Sequence, residues 1–95
     1  MTAQIQVTRK PAANPLQFAV IVTEGCSESR HLVTMAAADC ARLTKDKHTP
    51  EACITAAFRF LLDREAKESI LGRFDVSVIA RYFPEFEGAL PRYLK

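Results

Sequence analysis

The sequence predicts a small α+β domain: an N-terminal β-hairpin packed on three to four α-helices, with residues 50–65 as the central helix. Three observations carry this. Residues 49–72, TPEACITAAFRFLLDREAKESILG, are the most hydrophobic long run and hold helix signals at both ends. Two β-rich runs, LQFAVIVT at residues 16–23 and RHLVTM at residues 30–35, flank a turn-forming EGCSES. And 95 residues, 48% hydrophobic and 25% charged, are the size and composition of one globular domain, residues 1–95.

In chain order, residues 1–8 alternate, with Met1, Ala3, Ile5 and Val7 on one side and Thr2, Gln4, Gln6 and Thr8 on the other. That pattern suits a third, edge strand or a frayed arm. Residues 9–15, RKPAANP, read as a linker or loop, because neither proline suits a central strand. Residues 16–23 form the first hairpin strand. Gly25 in the turn is free to take a positive φ. On the return strand His31, Val33 and Met35 share the face assigned to the core, and Arg30, Leu32 and Thr34 the opposite one.

Residues 36–43, AAADCARL, are alanine-rich and predict a helix, followed by the charged loop TKDKH. The central helix opens with Thr49 as N-cap, Pro50 at its first position and Glu51 where the helix dipole favours an anion. Its polar face is the narrow row Glu51, Thr55, Arg59 and Asp63, with Arg59 and Asp63 spaced for an i,i+4 ion pair. So narrow a polar face predicts contact on several sides. Gly72 fits a C′ stop. Asp75 is placed to cap a further helix with Val78, Ile79, Tyr82 and Phe83 on one apolar face. Pro84 ends it. Phe86, Leu90, Tyr93 and Leu94 are spaced to pack a C-terminal segment on the core.

The chemistry-bearing residues do not assemble into a catalytic signature. The three glycines stand alone at turns, so no phosphate-cradling loop exists in the sequence. The three cysteines form no CxxC pair and are expected to be free thiols, which points to a reducing, cytoplasmic compartment. Cys26 in the hairpin turn is the expected exposed thiol, although Glu24 and Glu28 flank it and oppose a thiolate. Cys40 and Cys53 fall on apolar helix faces. Two histidines fall short of a structural zinc set, and His31 reads as a hydrogen-bonded structural residue. No metal or cofactor is expected. Residues 1–15 lack an apolar h-region, and no apolar run is long enough to span a membrane.

By elimination the expected function is non-catalytic binding, through a protein partner or a second copy of the chain. The residues placed for it are Arg73, Arg81, Tyr82, Phe86, Arg92 and Tyr93, aromatics interleaved with arginines as interface centres use. The competing reading is that these aromatics complete the core of a small domain.

Residues 58–86, FRFLLDREAKESILGRFDVSVIARYFPEF, resemble small bacterial proteins of unassigned function in which a run of the type FxFLLxRE-KESIL precedes RFD-SVI-RYFPE. The resemblance implies no activity. Residues 31–65 run strand, short helix, loop, longer helix, an order similar to the ribbon-helix-helix DNA-binding proteins. That similarity implies a ribbon at HLVTM and nucleic-acid contacts from Arg30, Arg42, Lys45 and Lys47. Against it stand a net charge of only +2, Glu51 at the helix end that would hold phosphate, and an intramolecular partner for the ribbon strand.

Overall fold

Four strands and four α-helices form a two-layer sandwich, described for residues 3–11 and 14–94 of a computed structural model. The strands are β1 (Gln4–Arg9), β2 (Leu16–Glu24), β3 (Ser27–Met35) and β4 (Arg73–Asp75), in the spatial order β1-β2-β3-β4. The first three pair antiparallel. β4 pairs parallel to β3 after a crossover through α1 (Ala37–Thr44) and α2 (Pro50–Leu62). Short helices α3 (Ser77–Tyr82) and α4 (Phe86–Ala89) complete the helical layer, with single 3-10 turns at Lys67–Ser69 and Leu90–Arg92.

The register decides which side chains face inward. Ile5 lies opposite Val22, Val7 opposite Val20, Phe18 opposite Val33, and Val33 opposite Phe74. These residues, with His31 and Met35, stand under the helices, and all but Ile5 and Val7 are fully buried. The other face of the sheet carries Gln17, Ala19, Ile21, Leu32 and Thr34, each half-buried. The helices therefore cover one face only, the one that carries the buried side chains. β1 takes the edge position expected of residues 1–8, with Ala3, Ile5 and Val7 packed against the core. Met1 and Thr2 of that expected strand lie outside the described residues, as do Ala12 and Ala13 of the expected loop.

α2 is central as expected. Thr49 accepts the Ala52 amide at 3.0 Å and Pro50 opens the first turn. Phe58 turns toward the sheet, with its ring 5.2 Å from His31 and 6.0 Å from Phe74. Phe60 turns the opposite way, edge-on to Phe83 at 5.9 Å, Phe86 at 5.0 Å and Tyr93 at 6.0 Å. One helix thus joins the sheet to the C-terminal segment through the rings of two residues, Phe58 and Phe60, in contacts of tilted or edge geometry.

Several local expectations are corrected. The hairpin turn is only Gly25 and Cys26, because the ladder runs on to Glu24 opposite Ser27. Gly25, at φ 61°, supplies the positive first central φ of a tight turn, and ladder hydrogen bonds outweigh the turn preference of Ser27 and Ser29. α2 ends at Leu62, short of Glu65. The run Asp63, Arg64, Glu65 offers nothing apolar to bury. Asp63 accepts a hydrogen bond from the Tyr93 hydroxyl at 2.5 Å, and no ion pair with Arg59 forms among the described residues. Gly72 is not a helix stop: it leads into β4, and its carbonyl accepts the Leu32 amide at 2.8 Å. Tyr82 stands 69% exposed, off the apolar face assigned to it, because α3 ends at that residue.

Phe58→Ala and Leu61→Ala should each cost about 2–5 kcal/mol in urea denaturation, and Arg59→Ala less than ~1 kcal/mol, because the first two are buried and Arg59 is exposed. Arg59→Ala emerging as the worst of the three would mean that the helix is turned the other way.

Asp75 gives a pH-dependent prediction. Burial would raise its carboxyl, but hydrogen bonds from the Thr34 hydroxyl (2.6 Å) and the Ser77 amide (3.0 Å) outweigh it, and the net direction is below the ordinary value of 3.8. A depressed carboxyl stabilises the fold above its unfolded value and loses that contribution as pH falls through the folded one. Asp75 stands one residue before Val76, the N-cap of α3, and not at the cap position the sequence suggests, so Asp75→Ala should cost about 1–2 kcal/mol near neutral pH, the range for two lost hydrogen bonds. The gap between variant and native chain should close as the pH drops below 3.8. A gap that keeps its full size well below that pH would remove the carboxylate from the explanation.

Candidate functional site: an apolar groove beside strand β4

A hollow of about 400 Å³ opens between the end of α2, the segment leading into β4, and α3. Its floor is buried and apolar: Leu61, Ile70, Phe74 and Ile79. Its rim carries Leu71, 50% exposed, and Tyr82, 69% exposed, the two large hydrophobic side chains most open to solvent among the described residues. Val78 and Phe83 are half-buried between rim and floor, and Glu65 and Ser69 add polar groups at one end. A concave apolar surface with a few polar groups is the usual form of a binding site.

β3 positions both walls. The His31 ring lies between two groups: Nδ1 is 2.8 Å from the Leu71 carbonyl and Nε2 is 2.8 Å from the Ser29 hydroxyl. A carbonyl only accepts, so Nδ1 carries the proton and donates. His31 is thus the hydrogen-bonded structural residue that its sequence position suggests, and it fixes the backbone of the Leu71 rim. Three residues along, Thr34 holds Asp75, and Asp75 holds the first turn of α3, which carries Val78 and Tyr82. The Val76 amide also donates to the Thr34 carbonyl at 2.9 Å.

The expected partner-binding residues divide. Tyr82 is on the groove. Arg81 is exposed beside it in sequence. Arg73 is exposed but pairs with Leu32 on the uncovered face of the sheet, away from the groove. Phe86 is 1% exposed and serves the core against Phe60, so it is not available to a partner. Tyr93 is half-buried against the same ring, with Arg92 exposed next to it. For Phe86 and Tyr93 the core-completing reading prevails. The groove residues that sequence reasoning missed are Leu71, Val78 and Ile70. The signal was available in the run SILG, whose two adjacent apolar residues cannot both face inward in an extended segment.

The candidate nucleic-acid contacts do not share a surface. Arg30 faces the uncovered side of the sheet and pairs with Glu28 at 2.8 Å. Arg42 belongs to the helical layer, between Glu87 (2.5 Å) and Asp39 (3.0 Å), whose hydrogen bonds raise its pKa. Lys45 and Lys47 are exposed in the loop before α2, beside a smaller hollow of about 170 Å³. β3, the would-be ribbon, has strands on both edges.

A second polar cluster sits at the hairpin turn. Lys67 is only 2% exposed, and its ammonium donates to the Ser27 hydroxyl at 2.5 Å and to the Glu68 carboxylate, with Glu24 at 3.9 Å. A serine–lysine pair activates a nucleophile only when the amine is neutral. Here the Lys67 amine is held between Ser27 and Glu68, and hydrogen bonding to it holds the Glu68 carboxyl below its ordinary value. The cluster ties the Lys67–Ser69 turn to the hairpin. The three cysteines are free thiols: burial pushes Cys53 up to about 12 and raises Cys40, while Cys26 is exposed. Among the described residues no group of three His, Cys, Asp or Glu side chains could hold a metal ion, and no helix is long and apolar enough to cross a membrane.

Comparison with protein-family models, with curated proteins and with solved structures returned no match to this chain.

Lys67→Ala should destabilise the fold by about 1–3 kcal/mol, through the unpaired Ser27 and the lost packing of its methylenes. Lys67→Met, which keeps the methylenes, should recover part of that loss in thermal unfolding. Equal stability of all three proteins would show the clip to be idle.

Proposed function

We propose that the chain is a small non-catalytic interaction module that holds large apolar side chains of a partner protein in the groove between Leu71 and Tyr82. The observation that supports this reading is the rim itself. A monomeric domain normally turns such residues inward or scatters them singly. Here the two most exposed ones stand over one apolar hollow of about 400 Å³. Tyrosine is enriched in interface centres, where its ring supplies area and its hydroxyl remains satisfied by water or partner. Arg30, Arg42 and Arg64 are paired with carboxylates away from the groove, so its lining is left mainly apolar.

This reading has more support than a DNA-binding regulator of ribbon-helix-helix type, because that mechanism needs a free edge on β3 and a shared basic face, and neither is present among the described residues. Cytoplasmic residence accompanies the proposal through the free thiols.

The test is selection from a displayed peptide library, followed by titration of the selected peptides. They should carry one or two large apolar residues, and Tyr82→Ala and Leu71→Asp should each weaken binding about tenfold or more. Thermal unfolding should move little, within about 0.5 kcal/mol for exposed Tyr82. Peptides that bind the variants as well as the native chain would refute the groove. Duplex DNA bound with a log–log salt slope of about −3 to −4, lowered by about 1 for each of Arg30, Arg42, Lys45 or Lys47 removed, would promote the regulator instead.

A further inference from the structure

The sheet has two edges of different character. β4 is three residues long. Its Gly72 carbonyl and Val76 amide bond to β3, so the backbone groups of Arg73 and Asp75 face outward, where two charged side chains and the shortness of the strand blunt the edge. β1 is six residues long and unpaired on its outer side among the described residues. From Gln4 to Thr8 it contains no proline, no charge and no break in register with β2.

Which backbone groups are open follows from the ladder. The Lys10 amide donates to the Gln17 carbonyl at 2.8 Å, in the same register that pairs Arg9 with Phe18 and Gln4 with Thr23. Hydrogen-bonded pairs alternate in an antiparallel ladder, so Gln4, Gln6 and Thr8 bond to β2. Ala3, Ile5, Val7 and Arg9 therefore present their N–H and C=O groups to the outer edge.

We infer that this edge pairs with the same edge of a second copy of the chain, antiparallel, about a twofold axis through Gln6. In that register Ile5 meets Val7 of the second copy and Arg9 meets Ala3. Up to about eight backbone hydrogen bonds form, two for each outward-facing pair. No like charges oppose one another, since Arg9 lies against an alanine. Ile5 and Val7, half-buried in one chain, extend the apolar strip of Val20 and Val22 across the junction. The assembly also closes. Each copy uses its one open edge, and the blunted β4 edges end the eight-stranded sheet on both sides, so pairing stops at two. This inference stands on the sheet edge and is independent of the groove.

Sedimentation of the native chain should show a monomer–dimer equilibrium. Val7→Pro removes an outward N–H and leaves the β1–β2 bonds intact, and it should weaken dimerisation about tenfold or more. Gln6 would form a non-hydrogen-bonded pair with its own copy, with Cβ atoms about 4.5–5.5 Å apart. In a Cys26→Ser background, mild oxidation should therefore cross-link Gln6→Cys chains readily and Gln4→Cys chains poorly. A native chain that is monomeric at every concentration would overturn the inference, as would a dimer that cross-links no better at position 6 than at position 4. Should Val7→Pro fail to fold, the cross-linking pair decides alone. A dimer abolished by Leu71→Asp but untouched by Val7→Pro would place self-association on the groove and sink the strand pairing.

Discussion

The docking of residues 71–76 along the outer edge of β3 is the constraint on which the rest of the molecule depends. Three residues of parallel pairing are weak by themselves. The segment is held by additional bonds at both ends: His31 and Leu32 fix the carbonyls of Leu71 and Gly72, and Thr34 fixes Asp75 and the Val76 amide. All three contacting residues of β3 also belong to the hairpin with β2. The groove therefore rests on the hairpin, although none of its lining residues comes from it. The buried side chains involved are polar, and each satisfies a backbone or side-chain group that would otherwise be stranded in the interior.

α2 supplies the second constraint. Its apolar face is too wide for one partner, and the structure uses it twice, Phe58 toward the sheet and Phe60 toward the C-terminal helices. The C-terminal segment is short and broken by Pro84 and Pro91, so it could not fold on helical propensity. It is ordered by its rings around Phe60 and by the Tyr93 hydrogen bond to Asp63, with the Arg64 guanidinium 3.7 Å from the centre of the Phe60 ring. That same hydrogen bond draws Asp63 away from Arg59, which is why the helix-surface ion pair implied by spacing alone does not form. A local i,i+4 pair is worth a few tenths of a kcal/mol and yields readily to tertiary contacts.

The hairpin, the two main helices and the Thr49 cap of α2 were legible because each is encoded locally. Alternation over LQFAVIVT, Thr49-Pro50 before an apolar run and Gly25 in a turn act within a few residues. β4 was not legible. RFD has no strand character alone and becomes a strand only because β3 offers it an edge. The same holds for Lys67, whose burial depends on a hairpin turn forty positions away in the chain. The candidate site fell between these cases. Tyr82 could be picked out as an aromatic beside an arginine, whereas Phe86, an aromatic between two glutamates and chosen with it, is core. What separates them is that α3 ends at Tyr82 while Phe86 begins a new turn under Phe60. No window of sequence short enough to read by periodicity contains both facts.

The chain's charges, taken together, argue for a surface whose specificity is carried by shape. Arg30, Arg42, Arg64 and Lys67 are each engaged by carboxylates of the same chain. Exposed pairs of this kind contribute little stability, but they cancel the local fields that would steer a polyanion or a charged small molecule. Beside these pairs the described residues present two surfaces of other kinds: apolar area around the groove, and backbone hydrogen-bonding groups along β1. Apolar area is non-directional and suits a partner that inserts side chains. Backbone groups are strictly directional and suit only an extended strand. The two surfaces thus select different occupants by different physics, and a chain of this size can present both because the helices cover one face of the sheet and leave its β1 edge open.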